Sequence, residues 1–284
     1  MQYRAIFLYA NSSRSFSQET AAKVFERLKA ENVRVFCEPW LAEQLSGAES
    51  RELNDMGREL DALIVVGGDG TLLRAAPDAV KNGIPMLGIH TGTVGFLMES
   101  THETMEEALS RLLSGKYSIE ERSMLQCRMS GLENSLALND IAITRGENPG
   151  LLNIRIFADG EHIYDLSGDG VLISTPTGCT AYSLSAGGPI VRPDTHVLTI
   201  IPLCARQLLA RPVVLPADAS ITLEVTVSGP AHPIISLDGQ KVRVIQESRA
   251  IKICRATKRA RFIRFEEQSF FEQLRIKSAM WNKF

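Results

Sequence analysis

The spacing of apolar residues changes character near residue 117, and this change constrains the fold more than any other feature of the chain. Before it, short apolar runs alternate with segments of helical spacing. They predict strands over 4–11, 33–37, 61–66 and 85–90 and helices over 17–31, 49–60, 71–82 and 103–114. Pro77 strains the third of these helices, and Gly115 stops the fourth. Strands that alternate with helices pack as a parallel, doubly wound sheet, because each crossover lays a helix on a sheet face. After residue 117, runs of period two follow one another, such as NIRIFADGEHIYDL over 153–166 and SITLEVTVS over 220–228, with Asp159-Gly160 and Asp238-Gly239 as hairpin signals. The expected architecture is an α/β doubly wound parallel-sheet domain over 1–116 and an all-β, sandwich-like domain over 117–264. The tail 265–284 regains helical spacing, with Phe270, Phe271, Leu274 and Trp281 on one side, and is expected to pack back on the first domain.

Composition limits what such a chain can do. A length of 284 residues, 44% of them apolar, supports a sizeable core. A formal charge of −2 provides no global field to recruit nucleic acid. The locally basic run KICRATKRARFIR, residues 252–264, reads more simply as a strand with a solvated face than as an anion-attracting patch. The apolar runs are too short to cross a bilayer, and MQYRAIFLYA has neither a signal core nor a cleavage site, so a cytoplasmic protein without a membrane partner is expected. Cysteines 37, 127, 179, 204 and 254 stand singly, which argues against a disulfide framework or a zinc ribbon.

The chemistry concentrates in three glycine-rich stretches. In ALIVVGGDGTLLRAA, residues 62–76, a buried strand runs into Gly67-Gly68-Asp69-Gly70 and then a helix. A turn at the carboxyl end of a parallel strand, feeding a helix N-terminus, offers backbone N–H groups and a positive dipole end to phosphate. Glycines let an anion approach closely, while Asp69 adds an acceptor for a hydroxyl proton or magnesium. A plain strand-to-helix turn with an aspartate cap is equally open from the tetrapeptide alone. Neither G-x-x-x-x-G-K-[ST] nor G-x-G-x-x-G is present nearby, so a Walker nucleotidase or an ordinary dinucleotide oxidoreductase lacks support. GIHTGTVGFL, residues 88–97, follows the next strand and reads as a second side of the same cleft rim. SGDGVLISTPTGCTAYSLSAGGPIV, residues 167–191, gathers hydroxyls, backbone donors and Tyr182 into a polar ligand cradle, a better reading than a long surface loop. ALND, residues 137–140, sets an amide beside a carboxylate, as a ribose diol requires, although such pairs also occur in ordinary turns. His90 reads as a satisfied strand-end residue, Cys179 as an inert thiol, and HETME at 102–106 as a helix start without the second histidine of a zinc site.

Taken together, these residues resemble the NAD kinase family: GGDGT at 67–71, LGI and GFL within 87–97, ND at 139–140, GDG at 168–170, TPTGCTAYSLSAGGPI at 175–190, RPVVLP at 211–216 and DGQ at 238–240. The resemblance implies an α/β domain with a β-sandwich, and transfer of the ATP γ-phosphoryl to the 2′-hydroxyl of the adenosine ribose of NAD, giving NADP. It makes Asp69 the catalytic residue and places Gly68 and Gly70 in the ligand-binding turn, with Arg74 one helical turn on, in reach of a phosphate. It assigns NAD to Asn139 and Asp140, its nicotinamide end to Asp169, the adenosine pocket to Thr180, Ala181, Tyr182, Ser183, Leu184 and Ser185, and an approach from the sandwich to Gln240. Magnesium would bridge the nucleotide phosphates, with no metal site in the protein itself. Polyphosphate stands as an alternative donor, and a homodimer or homotetramer is expected because family members commonly form them. The chain departs from the pattern at His90, Ser167, Cys179 and Arg206, where the family usually has Asn, a basic residue, Ser and His. Two rivals remain from sequence: a non-catalytic NAD(P) sensor, and a lipid or sugar kinase sharing the GGDG turn.

Overall fold

The computed structural model describes residues 3–281 apart from 58, 93–94, 130–131, 133–134, 148–149, 228–231 and 266–268, with only the backbone of 241, 277, 278, 280 and 281. In chain order the first elements are β1 (Ala5–Ala10), α1 (Ser15–Ala30), β2 (Arg34–Cys37), α2 (Pro39–Ala42), β3 (Glu49–Ser50), β4 (Ala62–Gly67), α3 (Asp69–Asn82), β5 (Met86–His90), β6 (Ser100–Thr101), α4 (Met105–Leu113) and β7 (Ser118–Arg122). A run of antiparallel strands follows: β8 (Leu125–Arg128), β9 (Ser135–Ala137), β10 (Asp140–Thr144), β11 (Leu152–Ala158), β12 (Glu161–Gly168) and β13 (Gly170–Ser174). After the short α5 (Tyr182–Ser185) come β14 (Val197–Leu203), β15 (Val213–Pro216), β16 (Ile221–Thr226), β17 (Ile234–Leu237), β18 (Gln240–Val244) and β19 (Arg249–Arg255). The chain closes with β20 (Ala260–Arg264) and α6 (Phe270–Trp281).

Two compact units result, residues 1–121 with 258–284 and residues 122–257. In the first, the sheet runs β3-β2-β1-β4-β5-β20-β7, with β6 added to β5. The pairs β1–β2, β1–β4, β4–β5 and β5–β20 are parallel. Alternation along β1 and β4 sends Ile6, Leu8, Ile64 and Val66 into a core with Val24, Phe25 and Leu28 of α1 and Leu109 and Leu112 of α4. Phe7, Leu63 and Val65 point the other way and are equally buried, on the face that α3 covers. Helices on both faces make the sheet doubly wound, as the sequence predicts. The strands next to the expected limits at 117 and 264, β7 and β20, both belong to this sheet.

In the second unit two six-stranded sheets, β15-β14-β13-β10-β17-β18 and β12-β11-β16-β19-β8-β9, face each other across one core. Ile141, Val171, Ile200 and Ile235 come from one sheet and Ile154, Leu223, Ile251 and Ile253 from the other. Asp159-Gly160 and Asp238-Gly239 close their hairpins with both residues at positive φ, 53° and 87° and 49° and 75°. These are the angles a two-residue turn needs to match strand twist. The first sheet is buried on its outer face as well: Ala142, Leu172, Ile201 and Leu203 form a second cluster against Ala186. That is why the polar stretch after β13 lies on the sheet instead of trailing into solvent.

One expectation is corrected. The helix expected over 49–60 is β3, paired to β2, followed by a single tight turn at Leu53–Asp55. Leu53, Met56 and Leu60 have helical spacing and are buried, but as separate anchors of an irregular segment that Gly57 interrupts. The tail 265–284 clusters with the first unit, and so does β20 with its fully buried Phe262 and Ile263. In α6, Phe270 and Leu274 are half-buried, while Phe271 and Ile276 are 57% and 50% exposed. The side chain of Trp281 lies outside the described residues. Among the described residues no helix is long and apolar enough to cross a membrane.

Candidate active site

The strand order places β1 between β2 and β4, so the connection leaving β1 runs one way while β4 lies on the other side. A crevice opens beyond the carboxyl ends of strands at such a switch point. Three loops meet there. Asn11, just after β1, donates its backbone N–H to the Val66 carbonyl (3.0 Å), and Thr91, just after β5, donates to the Gly67 carbonyl (3.0 Å). Asn11 Nδ2 donates to Thr71 Oγ1 (3.3 Å), and the Ser17 and Thr91 hydroxyls share a hydrogen bond of 2.7 Å. The two glycine loops singled out in sequence are therefore neighbours. Asn11 joins them, as does Arg14, whose Nη1 lies 2.9 Å from where a Cβ on Gly92 would stand; both were missed in sequence because a switch point becomes visible only once strand order is known.

Asp69 opens α3, and its carboxylate does not cap that helix: the N-cap is Gly68, without a side-chain hydrogen bond. Instead Phe96 N–H donates to Oδ2 (2.7 Å) and Leu97 N–H to Oδ1 (3.2 Å), both from the loop after β5. The plain capping reading is thereby excluded. Asp69 is half-buried, Gly70 and Arg74 are exposed, and Gly68 is half-buried. His90 is buried, and its Nδ1 accepts the Gly92 N–H (3.3 Å), a structural task in shaping the same loop.

In the second unit, ALND and TPTG are knitted together. The Thr175 hydroxyl donates to the Leu138 carbonyl (2.6 Å) and accepts the Gly178 N–H (3.1 Å), while Thr175 N–H donates to the Asn139 carbonyl (2.9 Å). Asn139 and Asp140 are both buried. Their backbone is fixed by Asp238, whose carboxylate accepts N–H bonds from Leu138 (2.8 Å), Asn139 (2.7 Å) and Asp140 (3.2 Å). Burial and the Asp238 charge push the Asp140 carboxyl up to about 7, and burial raises Asp238 against the three amides that lower it. Of the DGQ triplet, then, Asp238 organises the ND pair, while Gln240 is exposed at the start of β18. In sequence Asp238 stood out as half of a turn signal and as part of the DGQ motif, with no role of its own assigned.

The cradle is less uniform than its sequence. Tyr182 is 47% exposed, and its phenol is raised by burial and by nearby Cys204, Asp140 and Asp169, the last two from the ND and GDG motifs. Thr180, Ala181 and Leu184 are half-buried, Ser185 is exposed, and Ser183 is fully buried with its hydroxyl unpartnered. Asp169 is held by Arg145, whose Nε donates to Oδ1 (2.8 Å). The sequence reading did not single out Arg145. Ser167 lies beside residue 206, whose N–H donates to its carbonyl (2.8 Å). Cys179 is buried, donates to the Val191 carbonyl (3.0 Å) and accepts the Val191 N–H (3.3 Å), with its thiol raised by burial. It tethers the loop as a hydroxyl would.

The basic run 252–264 is consumed structurally. Lys258 and Arg261 donate to the carbonyls of Lys81 and Gly83 at the C-terminal end of α3. Arg264 bridges Glu99 and Glu120. Among the described residues no group of three His, Cys, Asp or Glu side chains gathers as metal ligands do.

A family model described as the ATP-NAD kinase N-terminal domain matches residues 6–117, and one described as the C-terminal domain matches 138–265. An NAD kinase of Heliobacterium modesticaldum is 41% identical over 82% of this chain and 84% of its own, and one of Moorella thermoacetica is 37% identical over 96% and 88%. Yeast NADH kinase, solved with NADH, superposes with a TM-score of 0.86 at 26% identity, covering 96% of this chain and 86% of that one. An Archaeoglobus fulgidus NAD kinase solved with ATP gives 0.77 at 25% identity over 95% and 96%. Matched by both domain models and by relatives along nearly its whole length, the chain belongs to the NAD kinase family.

Proposed function

We propose that this chain transfers the γ-phosphoryl group of ATP to the 2′-hydroxyl of the adenosine ribose of NAD, releasing NADP and ADP. The observation that carries this reading is the Asp69 carboxylate, held by two amides at the switch-point crevice of a chain in this family. Asp69 accepts the hydroxyl proton as O2′ bonds to the γ-phosphorus, and the bond from that phosphorus to the β,γ-bridging oxygen breaks, leaving ADP. Most of the acceleration in such transfers comes from positioning and charge stabilisation. The first-turn N–H groups of α3, with Arg74, face the donor phosphates. Asn139 and Asp140 hold NAD, Asp169 its nicotinamide end, and the segment 180–185 its adenosine, with Gln240 approaching from β18. Arg206, beside Ser167, carries the charge that serine lacks.

No resident metal is assigned to the protein itself. Magnesium is proposed to enter as the ATP complex, neutralising phosphate charge during transfer. A cytoplasmic homodimer or homotetramer completes the reading. The lipid- or sugar-kinase rival loses its ground with the family assignment. Purified protein supplied with magnesium, ATP and NAD should yield NADP whose added phosphate is located on the adenosine 2′ position by phosphorus NMR. Tight NADP binding with no product would make the chain a sensor instead.

A further inference from the structure

We infer that Gly95 is a positioning residue for the phosphoryl transfer: its missing side chain leaves the space in which the Phe96 and Leu97 amides hold the Asp69 carboxylate. The inference rests on the reading of Asp69 as proton acceptor. A Cβ added at Gly95 would stand 1.8 Å from Oδ1, 2.2 Å from Cγ and 2.5 Å from Oδ2 of Asp69. No two such atoms can share that space, so one must move.

What moves separates this glycine from those that serve the fold. A Cβ at Gly170 would meet the Ile143 carbonyl at 2.1 Å, and one at Gly178 the Asn139 carbonyl at 2.2 Å, both backbone atoms fixed in paired segments. At Gly95 all three nearest atoms belong to the end of one short side chain. An alanine is therefore accommodated by swinging Asp69 aside, with the backbone left in place. At Gly68 and Gly70 nothing lies within 4 Å, so the two glycines flanking Asp69 exert no such control.

The arrangement has a chemical purpose. Each carboxylate oxygen offers two lone-pair directions. The two amides occupy one on each oxygen and so fix the plane of the group, leaving the others for a substrate hydroxyl. Misplacing a reacting group by about 1 Å can cost on the order of a hundredfold in rate. The proposed function assigns NAD affinity to Asn139 and Asp140, which belong to the second unit.

The test is a double-mutant cycle with Gly95→Ala and Asp69→Ala, read in kcat, in KM for NAD and in thermal stability. Gly95→Ala should lower kcat about a hundredfold with KM for NAD changed by less than about threefold. In the Asp69→Ala background, where the carboxylate has vacated the space, the same substitution should cost nothing further in either rate or melting temperature. If Gly95→Ala alone proves unstable, Asp69→Ala should restore its melting temperature. The inference is overturned if Gly95→Ala retains wild-type kcat while Asp69→Ala is inactive, a result that leaves the role of Asp69 standing. It is also overturned if the losses in kcat or stability are as large without the carboxylate as with it. Full turnover by Asp69→Ala would remove the acceptor role and the inference together.

Discussion

Two carboxylates of this chain sit at opposite ends of a physical contrast. Asp69 is fixed by two backbone amides at the rim of a sheet, whereas Asp140 is buried beside a second acid, Asp238. The Asp140 carboxyl rises from 3.8 to about 7, so its neutral form favours the folded state. The corresponding stability is complete below the unfolded value and is lost as pH rises through the folded one. The melting temperature of the wild type should therefore fall relative to that of Asp140→Asn between about pH 4 and pH 7 and run parallel to it above. Thermal unfolding of the two proteins from pH 4.5 to 8 checks this, and a constant difference across that range would contradict it. Sequence alone named Asp69 from its glycine turn and Asn139 and Asp140 as an adjacent amide and carboxylate, because such groups carry chemistry in their side chains. It did not name what holds them. The amides of Phe96 and Leu97 leave no mark in a side-chain pattern, and Asp238 looked like a turn residue because its φ of 49° makes it one.

At the level of elements, the glycines divide by what surrounds them. Gly170 has φ of 154°, and its missing Cβ faces the Ile143 carbonyl across the β10–β13 pair. Gly170→Ala combines backbone strain with overpacking and should destabilise the protein by roughly 2–5 kcal/mol. Chemical denaturation measures that loss, and a change under ~0.5 kcal/mol would contradict the close approach. Most elements were readable because one periodicity dominated each: β1, β4 and β5 from continuous apolar runs, α1 and α4 from helical spacing, β11 and β16 from alternation. The segment 49–60 misled because Leu53, Met56 and Leu60 keep helical spacing for separate contacts. The basic run, expected as one strand with a solvated face, instead covers the end of β19, a turn and β20 in two different sheets, and its partners, the carbonyls ending α3, come from residues about 180 positions away.

For the molecule as a whole, chain return matters more than chain order. β20 lies between β5 and β7 in the first sheet, so the first unit is unfinished until residues 258–264 arrive. Deleting 258–284 strips the edge of β5 and removes the buried Phe262 and Ile263, each costing about 3 kcal/mol or more. Deleting 270–284 removes a helix whose described side chains are half-buried or exposed. The longer truncation should yield insoluble or unfolded protein and the shorter one a cooperatively melting protein; equal behaviour would contradict the placement of β20. A change of periodicity announced two folding units, yet no local pattern could say that a strand after the second completes the first. The most direct test of the proposed chemistry is the rate of NADP formation by Asp69→Asn beside its affinity for NAD. The carboxylate account predicts an unchanged dissociation constant and a kcat lower by about a hundred- to ten-thousandfold, and a variant that turns over at the wild-type rate would contradict it.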